Sequence, residues 1–430
     1  MVLANISWLF LDKVLRMTVG LFVVAWVARY LGPMRFGLLN YSIALVGLFL
    51  ALAKLGLDGI IVRDIVRTSD DTDEILGTSF ALKLGGSILL LAAACLTASL
   101  LRPGDRIILT MTFLVALGYL LKTFETIEFF FRAKVKSKYA VFAGSGAFLF
   151  NTAFRIILIL TGGGVILFAA AITLEATIWA LGLVLAYRYY GRKLTDWRIN
   201  FQTGRRLLAE SWPAFLSLIF AHIYLQVDQV MLGQMINDSA VGLYGAVVRI
   251  STVWYFFAMA ITWSVQASVV RAKERGELFY ATRMQDLFTS MALISYTIAL
   301  PIAFLARPLM NIIFGSSYLL AAPVLSIHIL ASVFVFVGVS RGLYVTNESL
   351  YKFDMVSNMT AAIVNVLLNL FFIPRFGIIG AAWATLISYF LTYVGSSSLH
   401  PATRGIFRMQ VRSLLLLDVV RFLSRKQVKL

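Results

Sequence analysis

Charge is scarce in this chain. Only 14% of its 430 residues are charged, whereas 60% are apolar. Soluble domains run nearer 25% charged and 45–50% apolar. No stretch is polar enough, for long enough, to fold around a core of its own. Cysteine is nearly absent. With Cys95 alone, an intrachain disulfide and a thiolate metal site are excluded. The three histidines, His222, His328 and His400, lie far apart and match no metal-ligand spacing. Acidic residues are also few, 21 against 38 Lys and Arg, for a net charge of +17.

What remains is a series of apolar runs of about 20 residues each, repeated from end to end, the pattern of a polytopic helical membrane protein. Read between charge clusters and turn residues, the runs predict twelve spans: 6–30, 38–58, 78–100, 106–131, 139–161, 164–189, 207–232, 240–269, 286–308, 319–344, 352–374 and 377–399. The first run is interrupted by Asp12, Lys13 and Arg16 and has no clean cleavage site after it, so it reads as a retained span rather than a signal peptide.

Basic residues orient the spans. The odd-to-even loops hold only Arg29, Arg35, Arg102, Arg106, Arg307 and Arg375, whereas the even-to-odd loops and the C-terminal tail hold 25. By the positive-inside rule both termini are cytoplasmic and the location is a cell membrane. The positive charge then serves orientation and attraction to anionic inner-leaflet lipid, with no need of a nucleic-acid partner. The tail "FRMQVRSLLLLDVVRFLSRKQVKL" is too charged to span and reads as a helix lying on that leaflet.

The basic linker "RYYGRKLTDWRINFQTGRR" divides the chain near residue 200, and the two halves echo each other. "YLGPMRFGLLNY" matches "MLGQMINDSAVGLYGA", and "GGGVILFAAA" matches "RFGIIGAAWAT". The reading is all-α integral membrane: six-helix lobes at 1–198 and 199–400, and a basic amphipathic tail at 401–430. Six spans per half give both lobes the same orientation, with a pseudo-two-fold axis along the membrane normal and a cavity between the lobes.

Ionisable residues deep in a bilayer point at protein, water or a partner. The candidates are Asp12, Lys13, Arg16, Lys122, Glu125, Arg155, Glu175, Asp228 and Arg249. Asp12 and Arg16 are spaced for one helical face, and so are Lys122 and Glu125, so local pairing is one reading of each. Lys54 and Lys83 sit near inner span ends, where they are expected to snorkel. Asp12 offsets only one cation of span 1, and no acidic residue lies within one turn of Arg249 in sequence. A midplane surplus of cations in a wet cavity suits an anionic substrate, and arginine matches phosphate oxygens. Arg16, Arg249, Lys13 and Arg155 are the expected anion-binding set.

The segments "ARYLGPMRFGLLNYSIAL", "LGLDGIIVRDI", "ESWPAFLSLIFAHIYLQVDQVMLGQMINDSAVGLYGAVVRI" and "LNLFFIPRFGIIGAAWATLISY" resemble the polysaccharide flippase group of the multidrug/oligosaccharidyl-lipid/polysaccharide exporter superfamily. The resemblance covers about residues 1–400. It implies twelve to fourteen helices, a cationic cavity, and export of a polyprenyl-pyrophosphate-linked glycan by alternating access, with glycan assembly proteins as further partners. Related lipid II flippases carry essential arginines in the first and eighth helices, where Arg16 and Arg249 stand here. Their sodium site corresponds to Asp228, Asn365, Asn369 and Thr385, with Asn369 where a carboxylate is expected.

The resemblance implies no cofactor beyond a coupling H+ or Na+, carried by Asp12, Glu125, Glu175 or the Asp228 group. A multidrug/cation antiporter of the same superfamily is the nearest alternative reading. A membrane-embedded glycosyltransferase or polymerase fits less well, because the outer loops are short and no paired carboxylates stand out. A passive scramblase or assembly scaffold is the remaining alternative.

Overall fold

A computed structural model describes residues 2–68, 71–420 and 422, with side chains described from Arg16 onward except at residues 69, 70 and 421. Among the described residues there is no β-strand. The chain divides between Gly242 and Leu243 into two compact units. In the first lie α1 (Val2–Leu48), α2 (Leu50–Lys54), α3 (Asp58–Arg67), α4 (Thr72–Leu101), α5 (Arg106–Leu121), α6 (Glu125–Ala133), α7 (Lys138–Leu160), α8 (Val165–Tyr189) and α9 (Phe201–Met235). The division falls within α10 (Asp238–Val253). The second unit continues with α11 (Tyr255–Glu274), α12 (Glu277–Phe304), α13 (Ala306–Phe314), α14 (Ala322–Asn347), α15 (Tyr351–Tyr393) and α16 (Arg404–Leu414).

Ten helical stretches are long and apolar enough to cross a bilayer among the described residues. Two of them contain a residue that no α-helix accommodates: Gly32, at φ 70° and ψ 170°, in α1, and Gly377, at φ 59° and ψ −138°, in α15. These breaks fall at the expected boundaries between spans 1 and 2 and between spans 11 and 12. Dividing there turns the ten stretches into the twelve spans read from the sequence. Glycine is required because a Cβ at Gly32 would put an L-residue in a region populated essentially by glycine alone. Two of the other helices carry side-chain N-caps. Asp105 caps α5 by accepting from the amides of Ile107 and Ile108 at 3.1 and 3.0 Å, and Asn200 caps α9 through Gln202 and Thr203.

In the first unit, a core of Ile61, Leu76, Phe130, Phe131, Leu183, Tyr187 and Leu207 joins α3, α4, α6, α8 and α9. The basic linker does not dangle. Arg198 donates its amide to Asp73 O at 3.2 Å, the Asn200 amide donates to Thr78 Oγ1 at 3.0 Å, and Thr203 Oγ1 donates to Glu74 at 2.6 Å. These bonds tie the start of α9 to the first turns of α4, so α9 groups with the first unit. Large apolar side chains such as Phe22, Leu89 and Leu100 point outward, as they do where lipid replaces water.

In the second unit, Tyr280, Phe288, Met291, Phe336 and Ile406 form the core. The tail is only partly free to lie on a membrane. One face of α16 is buried, with Gln285 donating to Ser413 at 2.8 Å and Gln410 donating to Tyr393 O at 2.8 Å. Its other face exposes Arg404, Arg408 and Arg412. The chain is a multi-pass membrane protein.

Candidate functional site

The first unit holds a partly open cavity of about 390 Å³ among α1, α2, α4, α5, α6, α7 and α8, with the short 3-10 turn Lys122–Phe124 in its wall. Four cationic side chains line it, Arg16, Lys54, Lys83 and Lys122, against two carboxylates, Glu125 and Glu175. Ala53, Ala147, Ile172 and Trp179 complete the apolar part of the wall. The volume lies in the usual range of ligand pockets, roughly 300–1,000 Å³.

Each charge is held differently. The Arg16 guanidinium lies 5.7 Å from the ring centre of Phe148 and packs directly over Gly144, where a side chain would overlap it. Lys122 sits over Tyr119 at 4.6 Å. Lys83 is 1% exposed and does not snorkel; it turns inward, bonding Glu125 and, at 2.9 Å, Asp58. Its Nζ also lies 4.7 Å from the ring centre of Phe129. The local pair expected between Lys122 and Glu125 is therefore replaced by a long-range one. Asn151 donates to Glu175 at 2.5 Å. Ser87 and Thr123 share a 3.4 Å hydroxyl contact deeper in the wall.

Of the expected site residues, the structure brings Arg16, Glu125 and Glu175 together in this cavity. Arg155 is half-buried on α7 and does not line it, and Arg249 is exposed on α10 in the second unit. The side chains of Asp12 and Lys13 lie outside the described residues. Asp228 is buried on α9 in the first unit, whereas Asn365, Asn369 and Thr385 are buried in the second. Asn369 donates to Asn365 at 3.0 Å, on the shared face that their spacing predicts, and Thr385 meets the Tyr244 hydroxyl at 2.8 Å.

Sequence reading missed Lys83 as a member of this site. Its signal was faint: one lysine in "FALKLGGS", set inside a run otherwise apolar or small.

The family described as "Polysaccharide biosynthesis protein" matches residues 2–266, more than half of the chain and all of the cavity. The chain belongs to this polysaccharide biosynthesis family. The resemblance carried by its sequence motifs is thereby borne out. The "Probable low-salt glycan biosynthesis flippase Agl15" of Haloferax volcanii is 26% identical over 240 residues, which is 53% of this chain and 49% of that protein. The match thus spans about half the length of that relative.

Among solved structures, this polysaccharide biosynthesis protein is similar to the lipid II flippase MurJ in an inward closed conformation. The TM-score is 0.71 at 15% identity, over 97% of this chain and 92% of that one. It is also similar to an inward-facing multidrug resistance MATE family transporter of the MOP superfamily. There the TM-score is 0.68 at 16% identity, over 94% and 95% of the two chains. At these identities, what is shared is the fold.

Proposed function

We propose that this protein is a flippase for lipid-linked glycans, carrying the anionic head of a polyprenyl-pyrophosphate oligosaccharide from the cytoplasmic to the outer leaflet of a cell membrane. The observation that carries the reading is the cation surplus of the first-unit cavity, four basic side chains against two carboxylates. A diphosphate needs such a surround to leave water, since an ionised group taken unpaired into a low-dielectric medium costs many kcal/mol. Arginine and lysine in a partly apolar wall supply charge-assisted hydrogen bonds in its place. The family, and the glycan-flippase role for which the Haloferax relative is named, support the same substrate class.

On this reading, Arg16 and Lys122 make first contact with the head group, and Arg249, Lys13 and Arg155 serve it elsewhere along an alternating-access cycle. Both termini are cytoplasmic. A membrane potential negative inside favours outward movement of a dianion by about 2.3 kcal/mol per charge per 100 mV, and returns the emptied cationic site inward. H+ at Asp12 or Glu175, or a coupling Na+, assists the return. Glycan assembly proteins are the natural suppliers and consumers of such a substrate.

The test is reconstitution into liposomes with a fluorescent polyprenyl-pyrophosphate oligosaccharide, reading the fraction reached by a membrane-impermeant quencher. The double variant Arg16→Ala/Lys122→Ala is expected to insert normally and to lose flipping. Unchanged flipping by that variant removes the proposal. The two carboxylates in the cavity favour a second reading, an antiporter of cationic drugs. Drug efflux that survives the double variant but is lost in Glu175→Gln would select it.

A further inference from the structure

Lys83 is the most deeply buried cation of the cavity, 1% exposed, yet its charge is already spoken for. An ammonium has three donors. Two are taken, by Glu125 and by Asp58 at 2.9 Å, and the aromatic face of Phe129 lies 4.7 Å away. The two carboxylates are far less enclosed than the lysine: Asp58 is 39% and Glu125 22% exposed. They reach in from different elements, α3 and the first residue of α6, while Lys83 stands on α4. Asp58 is shared in addition with Lys54, at 3.9 Å.

Glu125 follows directly on the 3-10 turn Lys122–Phe124, which interrupts the run from α5 to α6. Such interruptions mark places where a helix yields. The carboxylate therefore has room to withdraw, and the lysine, locked in the wall, does not. A phosphate oxygen and a carboxylate oxygen present the same acceptor to an ammonium.

We propose that Glu125 is a resident stand-in for the substrate's phosphate: it occupies Lys83 when the cavity is empty and is displaced when a diphosphate enters. The exchange keeps both acceptor positions of a buried ammonium filled, Asp58 on one side and a carboxylate or phosphate on the other, since an incompletely paired buried charge is strongly unfavourable in a protein interior. It also sets specificity. An anion with a single weak charge cannot displace a carboxylate already in place, whereas a diphosphate, offering several oxygens at once to Lys83, Arg16 and Lys122, can. This inference rests on the head-group reading above and assigns that site its competitor.

The experiment is calorimetric titration of the purified full-length protein in nanodiscs, with inorganic pyrophosphate and with farnesyl diphosphate as separate probes. Glu125→Gln keeps the shape of the side chain and removes its charge; both probes should bind about tenfold more tightly, the scale of one charge-assisted hydrogen bond. Asp58→Asn, which relieves the same lysine from the other side, should also tighten binding, and Glu125→Gln/Lys83→Met should lose the gain. Glu128→Gln, on the same short helix but paired with Arg132, should leave binding unchanged.

If Arg16→Gln weakens binding but neither Glu125→Gln nor Asp58→Asn strengthens it, the stand-in is wrong and the head-group site survives. If none of these variants changes binding, both readings fail together. A gain with inorganic pyrophosphate but not with farnesyl diphosphate overturns a lipid-borne head as the displacing anion.

Discussion

The guanidinium of Arg16 fills the space that a Cβ on residue 144 would need. Gly144 is buried on α7, and its bare backbone lets the arginine of α1 lie against it at the cavity wall. The two residues are 128 positions apart in sequence. Glycine here buys proximity for a charge.

Gly144→Ala is therefore expected to push Arg16 off its seat without altering the charge of the cavity. Flipping in liposomes should fall about tenfold or more, the effect of misplacing one charge-assisted hydrogen bond. Gly146→Ala is the matched control, two residues along the same helix, where an added Cβ meets nothing within 4 Å. Equal flipping by both variants would show that the position of Arg16 does not matter.

How much of this was legible beforehand differs between residues. The span boundaries at Gly32 and Gly377 were readable because a glycine at a break in an apolar run has few other uses. Arg16 was readable because an arginine so far inside a span must be turned toward something other than lipid. The Lys83–Glu125 pair was not readable, because its members are 42 residues apart and no periodicity joins them. Local spacing suggested Lys122 for Glu125 instead. In the structure Lys122 packs over the ring of Tyr119, and Glu125 is taken by Lys83 from α4. The cavity within the first unit was likewise invisible, since it depends on which helices pack together rather than on any one of them.

The break in α1 makes a prediction about stability rather than transport. Gly32 holds φ 70° and ψ 170°, and an added Cβ would meet no neighbouring atom within 4 Å. Any cost of Gly32→Ala is thus conformational, about 1–3 kcal/mol. Thermal melting in detergent should show a clear loss. Gly59→Ala, on α3 and also in open space, has ordinary helical geometry and should be neutral or slightly stabilising. A loss of the same size at both positions would mean that the backbone at Gly32 is not strained by a side chain.

Arg341 is the corresponding fixed point of the second unit. It is almost wholly buried on α14, donating to Thr392 O and Ser396 Oγ at 2.7 Å each and to Asp354 at 2.9 Å, with the ring of Phe353 beneath it. Arg341→Lys keeps the charge but replaces the planar fork with a single point, which cannot reach both ends of α15. Melting should drop by the equivalent of about 2–4 kcal/mol, well beyond a surface substitution. An unchanged melting temperature would show that charge alone suffices there.

The acid limit of the fold should be set in part by Asp64, on α3 beyond the end of span 2. Burial alone would raise its carboxyl, but hydrogen bonds from Arg206, at 2.7 Å, and from Arg63 outweigh it and hold the group below the usual carboxylate value. The same bonds, with Arg63–Glu210, fasten α3 to the start of α9. A carboxyl depressed on folding contributes stability that is complete above its unfolded value, about 3.9, and is lost as pH falls through the lower folded value. Stability contributed by this group should therefore be flat from about pH 5 upward and decline below about pH 4. Asp64→Asn should cost about 1–2 kcal/mol at neutral pH, a modest figure because both arginines are partly solvated. Its difference from the parent should shrink as the pH is lowered toward 3, where the parent carboxyl takes up its own proton. Melting curves of the two proteins between pH 3 and 7 decide the matter, since a constant difference across that range would mean that Asp64 does not carry the charge that binds α3 to α9.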